Sequence, residues 1–257
     1  MGERTVSIVM PVHNGERFLR RSVECIQNQT YQDFILYMIE DGSTDGSLKL
    51  MEELAATDDR LRVLVNESDR HSAAVARNIG ILAAQTDYLA FFDNDDWWAP
   101  EKLEKEMAFM EEKDAAFVFC NYEFADSDLN PDGRVVHVPE TITYKEALKN
   151  TTIFTSTVLL NFRKFDRKLA IMPDMHSEDT ATWWAILRTI PCAYGLTENL
   201  VLYRQSAGSE SSNKLRMVAR IWLLYRTQAH LNVFSAARHM LFWAYHATKR
   251  RVKKEQK

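Results

Sequence analysis

Residues 88–96 of the chain read YLAFFDNDD, five apolar or aromatic residues followed by four polar ones. The apolar run has the length and composition of a buried strand, and the acidic residues begin where that strand ends. Asp93 and Asp95 are two residues apart, so in an extended chain their side chains point the same way. Two such carboxylates suit a hard divalent cation such as Mg²⁺ or Mn²⁺. A solvated acidic loop before Pro100 is the alternative.

On either side of this stretch, short apolar runs alternate with segments of helical periodicity. The predicted strands are Ser7–Val12, Phe34–Ile39, Leu61–Val65, Tyr88–Phe92 and Phe117–Asn121. The predicted helices are Glu16–Gln29, Ser47–Ala56, Ala73–Ala84 and a helix from Pro100 through Lys113. This alternation predicts an α/β fold, a Rossmann-like and mostly parallel sheet with helices on both faces. Ligands of such sheets bind at the carboxyl ends of the strands.

The second half of the sequence is less regular. Its predicted elements are a turn at Asn130-Pro131-Asp132-Gly133, a short helix Thr143–Lys149, a helix Ser177–Arg188 capped by Ser177, short strands Ala193–Gly195 and Asn199–Tyr203, a polar loop Gln205–Asn213, and one or two amphipathic helices within Met217–His246. We therefore expect one domain over residues 1–213, with a regular first half (1–122) and a less regular second half (123–213). Residues 214–257 form a separate set of basic amphipathic helices in this scheme.

Composition excludes several classes of protein. The chain has 257 residues, 46% of them hydrophobic and 26% charged, which is typical of a folded globular protein and not of a disordered one. Its three cysteines, at positions 25, 120 and 192, form no C-x-x-C pair, which argues against a zinc knuckle and indicates a reducing compartment. With no apolar leader at the N-terminus, the sequence predicts a cytoplasmic location.

The charge of the chain is uneven along its length. Residues 214–257 hold eleven Lys or Arg against one Glu, whereas the whole chain has a net charge of −4. An acidic body with a basic end is not typical of a nucleic-acid-binding protein. The basic segment also contains apolar and aromatic residues at helical spacing, which favours peripheral contact with the inner face of the cytoplasmic membrane. Packing of the same residues on the catalytic domain, or on a second copy in a homo-oligomer, is the alternative.

Three further polar groups are candidates for a functional role, one at the end of a predicted strand and two in predicted helices. Asp41 follows the second strand, where it can accept a hydrogen bond from a nucleobase or ribose. The segment from Asp41 to Glu52 partly matches a calcium loop, but a strand precedes it where a helix is needed. Arg77 can clamp a diphosphate, or lie on a solvated helix face. Glu178 and Asp179 stand in the first turn of a helix, as a general base or as ordinary helix-dipole partners.

Together these motifs resemble the inverting, GT-A fold glycosyltransferases of family 2. The motifs are Pro11-Val12-His13-Asn14, Asp41-Gly42-Ser43-Thr44-Asp45, Ala76-Arg77-Asn78-Ile79-Gly80, Asp93-Asn94-Asp95-Asp96, and Glu178-Asp179 ahead of Trp183. They occur in the order found in that family. The resemblance implies that residues 1–213 are the catalytic domain, with a nucleotide-sugar half (1–122) and an acceptor half (123–213). Further stretches, at 138–144, 193–196 and 211–214, are similar to the enzymes of this family that make bacterial surface polysaccharides such as teichuronic acid, capsule and O-antigen.

The resemblance implies a set of residues that bind the donor, a UDP-sugar: Pro11, Val12, Asn14, Asp41, Asn66, Arg77, Asp93, Asn94 and Arg204. In this set Asp41 binds uracil and Arg77 meets the diphosphate. The resemblance also implies that Asp95 holds Mn²⁺ or Mg²⁺, that Asp179 is the catalytic base, and that Glu178 lies beside it at the acceptor. The acceptor is a hydroxyl of a glycan or lipid-linked saccharide.

The sequence departs from the family pattern at three places. His13 stands where Tyr is common, and His71-Ser72 replaces a Gly pair before Ala76. Ser206 stands where the family often has a histidine that ligates the metal, so the cation is expected to have Asp95, the diphosphate and water as ligands. Two other functions stay open from the sequence alone, a nucleotidylyltransferase and a non-catalytic module that binds a nucleotide-sugar or calcium.

Overall fold

The computed structural model describes residues 3–205 and 214–252 of the chain. Ten strands in these ranges form one sheet: β1 (Val6–Val12), β2 (Phe34–Glu40), β3 (Leu61–Val65), β4 (Tyr88–Phe91), β5 (Trp97–Trp98), β6 (Phe117–Ala125), β7 (Pro131–Val136), β8 (Thr141–Ile142), β9 (Leu159–Asn161) and β10 (Ala193–Arg204). The helices are α1 (Glu16–Gln27), α2 (Ser47–Ala55), α3 (Ala73–Ala83), α4 (Lys102–Glu112), α5 (Tyr144–Ala147), α6 (Glu178–Leu187), α7 (Lys214–Thr227) and α8 (Val233–Val252). Two 3-10 turns, Thr155–Thr157 and Arg167–Ala170, complete the described elements.

The strand order explains how the functional segments reach one edge of the sheet. Strands β3, β2, β1 and β4 are adjacent and parallel, and the order continues through β9, β6, β10 and β5. Strand β9 is antiparallel to both β4 and β6, and β10 is parallel to β6. Strands β6 and β10 therefore run in the same direction as β1 to β4. Their carboxyl ends share one edge of the sheet with the residues that follow β4.

The apolar core lies on both sides of this sheet. One side packs against α1, α2 and α4, and includes Ile8, Met10 and Met38 of the central strands. The other side packs against α3, α6, α7 and α8, and includes Val9 and Ile39. Alternate residues of each central strand thus enter opposite core layers, as a sheet covered by helices requires. The α/β prediction is confirmed. The predicted strands and helices of the first half lie within about two residues of the observed bounds, except that β6 continues four residues beyond the predicted end, to Ala125.

The second half differs from the sequence prediction in its strands. The two short strands predicted at Ala193–Gly195 and Asn199–Tyr203 are one strand, β10, with register shifts against β6 between Leu196 and Val201. The pairing with β6 continues past these irregularities, so the two predicted strands are joined. The turn predicted at 130–133 lies earlier, where the Asp126 carboxylate accepts hydrogen bonds from the backbone N–H groups of residues 128 and 130. Most of the predicted loop Gln205–Asn213 lies outside the described residues.

Helices α7 and α8 pack one face against the rest of the protein. Tyr225 of α7 stacks on Trp184 of α6 with ring centroids 5.4 Å apart, and its hydroxyl donates to the Leu148 carbonyl at 2.5 Å. On α8, the Trp243 Nε1 donates to Thr151 Oγ1 at 3.0 Å. Residues of both helices therefore belong to the hydrophobic core. Within residues 3–205 and 214–252, none of the helices has the length and apolar character needed to cross a bilayer.

Candidate active site

The ends of β1, β2 and β3 form the first corner of the site. The Asp41 backbone N–H donates to the Val12 carbonyl at 2.9 Å, and the Asp41 Oδ1 accepts a hydrogen bond from Asn66 Nδ2 at 2.6 Å. Asn14, with a positive φ of 49°, accepts at Oδ1 from the Thr44 N–H at 2.8 Å. The fold therefore brings together Val12, Asn14, Asp41 and Asn66, as predicted. Their contact with uridine stays a prediction.

His71 closes this corner from the side. Its Nδ1 lies 3.2 Å from Asp41 Oδ1, the same oxygen that Asn66 contacts. Its ring also covers Gly42, which has a φ of +73°, and a Cβ at that position would come within 2.8 Å of the imidazole. Gly42 is therefore required by both its backbone angle and the close approach of the ring. His71, one of the residues at which the sequence departs from the family pattern, therefore forms a wall of the predicted nucleobase pocket.

Arg77 lies at the centre of the site and joins its two halves. From helix α3, Nη1 donates to Glu178 Oε1 at 2.7 Å and Nη2 to Asp93 Oδ1 at 2.6 Å. Its side chain is 7% exposed, and Nε has no hydrogen-bond partner among the described residues. Burial opposes the charged form, but the two carboxylates outweigh burial and raise the pKa of Arg77. Two of its nitrogens are thus already occupied, and contact with a diphosphate stays a prediction.

The acidic loop after β4 gives each of its three carboxylates a different environment. Asp93 pairs with Arg77, while the buried Asp96 accepts from Ser156 Oγ at 2.5 Å and from the Arg204 N–H at 3.2 Å. Burial raises the pKa of Asp96 well above its usual range, with Asp95 and Asp93 adding to the effect. Asp95 makes no side-chain hydrogen bond to another residue within 3–205 and 214–252. Its half-buried position, with the nearby Asp93, raises its pKa to about 6.

Asn94 and Arg204 hold this loop in place. The Asn94 carbonyl accepts a hydrogen bond from Ser22, and its Nδ2 packs where a Cβ on Gly15 would stand, 1.9 Å away. Arg204 Nε donates to the Asp95 carbonyl at 2.5 Å, and its guanidinium lies 4.3 Å from the centroid of the Phe18 ring. Asn94 is therefore a member of the acidic loop that α1 holds, and Arg204 lies beside that loop. In the structure they contact its backbone and the α1 residues below it.

The donor atoms in this region suit a cation that is shared with a phosphate ligand. No group of three His, Cys, Asp or Glu residues close enough to hold a metal occurs in the described ranges. Asp93 and Asp96 are engaged by Arg77 and Ser156, which leaves the Asp95 carboxylate as the available oxygen donor. Mg²⁺ and Mn²⁺ accept one or two carboxylates and complete their shells with phosphate oxygens and water. The residues present therefore fit such a cation.

Asp179 and Glu178 begin helix α6, but not in the way the sequence suggested. The predicted cap is wrong: Ser177 has a φ of 61° and makes no side-chain capping bond. The Asp179 carboxylate instead accepts at Oδ2 from Thr155 Oγ1 at 3.2 Å and at Oδ1 from the Thr180 N–H at 2.6 Å. Burial raises the pKa of Asp179 and, together with the charge of Asp179, that of Glu178. A carboxylate with a raised pKa is a stronger base.

Two features near α6 were not predicted from the sequence. Trp183 and Trp184, which follow the Glu178-Asp179 motif on α6, are both buried in the core, Trp183 against Phe91 and Phe117. The hydroxyls of Thr155 and Ser156, in contrast, contact Asp179 and Asp96. Their only signal is three successive hydroxyl residues, 155–157, inside an apolar stretch that reads IFTSTVLL.

Comparison with known proteins gives consistent results. The sequence matches the family described as Glycosyl transferase family 2 over residues 7–170. It is 34% identical to Bacillus subtilis TuaG, named as a teichuronic acid biosynthesis glycosyltransferase, over 96% of this chain and 97% of that protein. It is also 34% identical to WfgD of Escherichia coli, a UDP-Glc:α-D-GlcNAc-diphosphoundecaprenol β-1,3-glucosyltransferase, over 86% of this chain and 85% of WfgD.

Solved structures share the fold at lower sequence identity. Staphylococcus aureus TarS 1–349 in complex with UDP-GlcNAc matches 95% of this chain and 73% of its own, with a TM-score of 0.69 and 16% identity. The mannosyltransferase PcManGT of Pyrobaculum calidifontis, in complex with GDP-Man and Mn²⁺, matches 98% of this chain and 76% of its own, with a TM-score of 0.68 and 15% identity. These likenesses confirm the GT-A type of fold.

The central place of Arg77 leads to a stability prediction. We expect Arg77→Met to lower the free energy of unfolding by about 3–5 kcal/mol, since two partly buried carboxylates lose their cation. The control is Arg163→Met, because Arg163 pairs with Asp87 on the surface, where each side chain is 44% exposed. That change should cost less than about 1 kcal/mol. Urea unfolding followed by circular dichroism measures both, and equal losses would contradict a central role for Arg77.

Proposed function

The chain belongs to glycosyl transferase family 2, and we propose that it moves the sugar of a UDP-sugar to a hydroxyl group of a glycan or lipid-linked saccharide, with inversion at the anomeric carbon. That it is a glycosyltransferase follows from the family match and from the relatives that cover nearly the whole chain. The finer proposal concerns its substrates. The relatives named for teichuronic acid synthesis and for a diphosphoundecaprenol-linked acceptor support a role in bacterial surface polysaccharide synthesis.

One observation carries the mechanistic proposal, namely the link through Arg77 between the acidic loop and the start of α6. It joins Asp93, in the loop that holds the proposed metal ligand Asp95, to Glu178, which adjoins the proposed base. A displacement reaction needs a leaving group stabilised on one side and a nucleophile deprotonated on the other. The arrangement of these residues supports both requirements in one cleft.

Asp179 is the proposed base. It takes the proton of the acceptor hydroxyl while that oxygen attacks the anomeric carbon from the face opposite UDP, so one displacement turns an α-linked donor into a β-glycoside. Glu178, held by Arg77, lies beside it on the acceptor side. Asp179 has a raised pKa because it is buried, and it keeps a hydrogen bond from Thr155. The base is therefore strong and also fixed in orientation.

Asp95 is the proposed ligand of a divalent cation, Mn²⁺ or Mg²⁺. When bound, such an ion neutralises the charge that develops on the departing diphosphate. Arg204 holds the Asp95 carbonyl, and Asp93 is the proposed contact to ribose or donor sugar. Asp41 and Asn66, with Pro11, Val12 and Asn14, form the proposed uridine pocket. A Mn²⁺ complex of a structural neighbour supports the choice of cation, and the UDP-GlcNAc complex of another supports the choice of donor.

The two other functions considered from the sequence are not favoured. A nucleotidylyltransferase does not agree with the family match over residues 7–170. A calcium loop needs flanking helices, whereas Asp41 directly follows strand β2 and Glu52 lies within α2.

We also propose that α8 contacts an anionic membrane surface from the cytoplasmic side. Phe234, Leu241 and Tyr245 are 88%, 74% and 62% exposed, and their spacing of seven and four places them on one helical stripe with Arg238. The buried Trp243 accounts for another face of the helix. Packing on the rest of the protein, the alternative considered from the sequence, therefore explains the buried apolar residues of this helix but not the exposed ones. An exposed apolar stripe within a segment of eleven Lys or Arg matches an interface rich in anionic lipid.

The first prediction concerns the metal. UDP is expected to bind more weakly, by about 10-fold or more, in EDTA than with Mn²⁺, and Asp95→Ala should remove the difference. Isothermal titration calorimetry measures the affinity in each case. Glu112→Ala, which changes an exposed carboxylate on α4, is the control and should behave as wild type. Equal affinity with Mn²⁺, with EDTA and in Asp95→Ala would remove Asp95 from this role.

The second prediction concerns the base. Asp179→Asn should lower turnover by about 10²–10⁴-fold because the amide cannot accept the proton, while UDP affinity stays unchanged. Release of UDP from a panel of UDP-sugars with Mn²⁺ present is the assay, and it also identifies the donor. Near wild-type turnover in the variant would show that another group accepts the proton.

The third prediction concerns the membrane. The full chain should float with liposomes that contain anionic lipid, remain unbound to neutral ones, and lose binding in high salt. A chain that ends at Lys249 loses five cations and should bind less, and Phe234→Ser/Leu241→Ser should bind less without any change of charge. If the full chain stays at the bottom of the gradient with anionic lipid at low salt, the stripe has another role.

A further inference from the structure

The 3-10 turn Thr155–Thr157 places three hydroxyl side chains in the interior. Thr155 is 3% exposed, and Ser156 and Thr157 are fully buried. Burial of a hydroxyl group costs free energy unless the group is hydrogen-bonded. The hydrogen-bond partners of each hydroxyl therefore indicate its role. The turn stands immediately before β9, the strand that separates β4 from β6. It is therefore anchored in the middle of the sheet.

Ser156 makes three hydrogen bonds, and two of them hold the acidic loop. Its Oγ donates to Asp96 Oδ2 at 2.5 Å and accepts from the Asp93 N–H at 3.1 Å. Its carbonyl accepts from the buried Trp98 Nε1 at 2.8 Å. One side chain thus holds both ends of the segment that contains Asp95. The position of the Asp95 carboxylate depends on this pair of bonds.

Thr155 contacts the other half of the site. Its Oγ1 donates to Asp179 Oδ2 at 3.2 Å, while Asp179 Oδ1 is held by the Thr180 N–H. Adjacent residues of one rigid turn therefore bind the proposed base and the proposed metal loop. Thr157, in contrast, donates only within the turn, to the Phe154 carbonyl at 2.6 Å.

We propose that Thr155 and Ser156 are positioning residues that set the separation and orientation of the base Asp179 and the metal loop Asp93–Asp96. This inference rests on the proposed function, since it assigns the two hydroxyls to the groups that the transfer reaction uses. Inversion in one displacement requires the acceptor oxygen and the departing diphosphate to lie on opposite faces of the sugar. A single turn that holds both groups fixes that geometry before substrates bind.

The two hydroxyls have different consequences. Ser156 acts on donor binding, because it holds the loop in which Asp95 stands. Thr155 acts on the chemical step, because its hydrogen bond stabilises the ionised form of Asp179. The other charged groups that face Asp179 are Arg77, which also favours the ionised form of Asp179, and the neighbouring Glu178, whose pKa is raised in turn by the charge of Asp179. Loss of the Thr155 hydroxyl should raise the pKa of Asp179.

The test uses near-isosteric changes at the three positions of the turn, 155, 156 and 157, each made in the full chain. Ser156→Ala should weaken the binding of UDP with Mn²⁺ by about 10-fold and leave binding in EDTA unchanged. Thr155→Val should leave UDP affinity unchanged, lower kcat for UDP release by about 10-fold, and move the acid limb of the kcat–pH profile to higher pH. The direction follows because the base must lose its proton to act. Thr155→Ser keeps the hydroxyl and should restore the wild-type profile.

Thr157→Val is the matched control, with the same burial but no bond to either carboxylate. It should change neither the binding of UDP with Mn²⁺ nor the pH profile. The proposal is overturned if Ser156→Ala, Thr155→Val and the control Thr157→Val all have the same effect, or if neither Ser156→Ala nor Thr155→Val differs from wild type. Failure of the proposed function looks different, since then the wild-type protein itself releases no UDP from any UDP-sugar. Urea unfolding of each variant shows whether a loss of folding explains a loss of binding.

Discussion

The buried fork of Arg77 is the interaction on which the arrangement of the site depends. It joins helix α3, the loop after β4 and the first turn of α6, with partners 16 and 101 residues away in the sequence. Each carboxylate alone is costly to bury, and the guanidinium, with its planar set of donors, satisfies both at once. One side chain therefore links the loop that is proposed to bind the donor to the helix start that is proposed to meet the acceptor.

Burial determines the protonation behaviour of the carboxylates near Arg77. Asp95, Asp96, Glu178 and Asp179 all have raised pKa values, and loss of water is the largest cause for each. For Asp95 and Asp96, the charge of neighbouring carboxylates adds to this effect. The proposed divalent cation would relieve that repulsion, which would link donor binding to the electrostatics of this loop. The same loss of water makes Asp179 a stronger base, while hydrogen bonds from Thr155 and Thr180 keep it available as a carboxylate.

The carboxyl-terminal helices combine two kinds of surface. Ile221, Leu224, Tyr225 and Trp243 complete the core beside α6, so this segment stabilises the same layer that positions Asp179. Phe234, Leu241 and Tyr245 point away from that core. A helix with one face in a protein core and another apolar stripe exposed is unusual for a surface helix, which normally presents a polar outer face. The structure thus separates residues that look alike in a helical-periodicity pattern into a packing set and an exposed set.

The sequence alone was enough for the first half of the sheet, because short strands and amphipathic helices follow local periodicity and the topology of parallel strands places their carboxyl ends together. It also brought Asp41, Asp95 and Asp179 forward as candidates, through residue type and motif order. Tertiary structure alone decided which groups meet: that Arg77 bridges Asp93 and Glu178, that Ser177 does not cap α6, that the tryptophan pair belongs to the core, and that the hydroxyls of Thr155 and Ser156 reach two carboxylates. The hydrogen bonds among these groups join residues 16 to 101 positions apart in the sequence. Local spacing carries no information about such contacts, because burial and hydrogen bonding there are set by the packing of the whole chain.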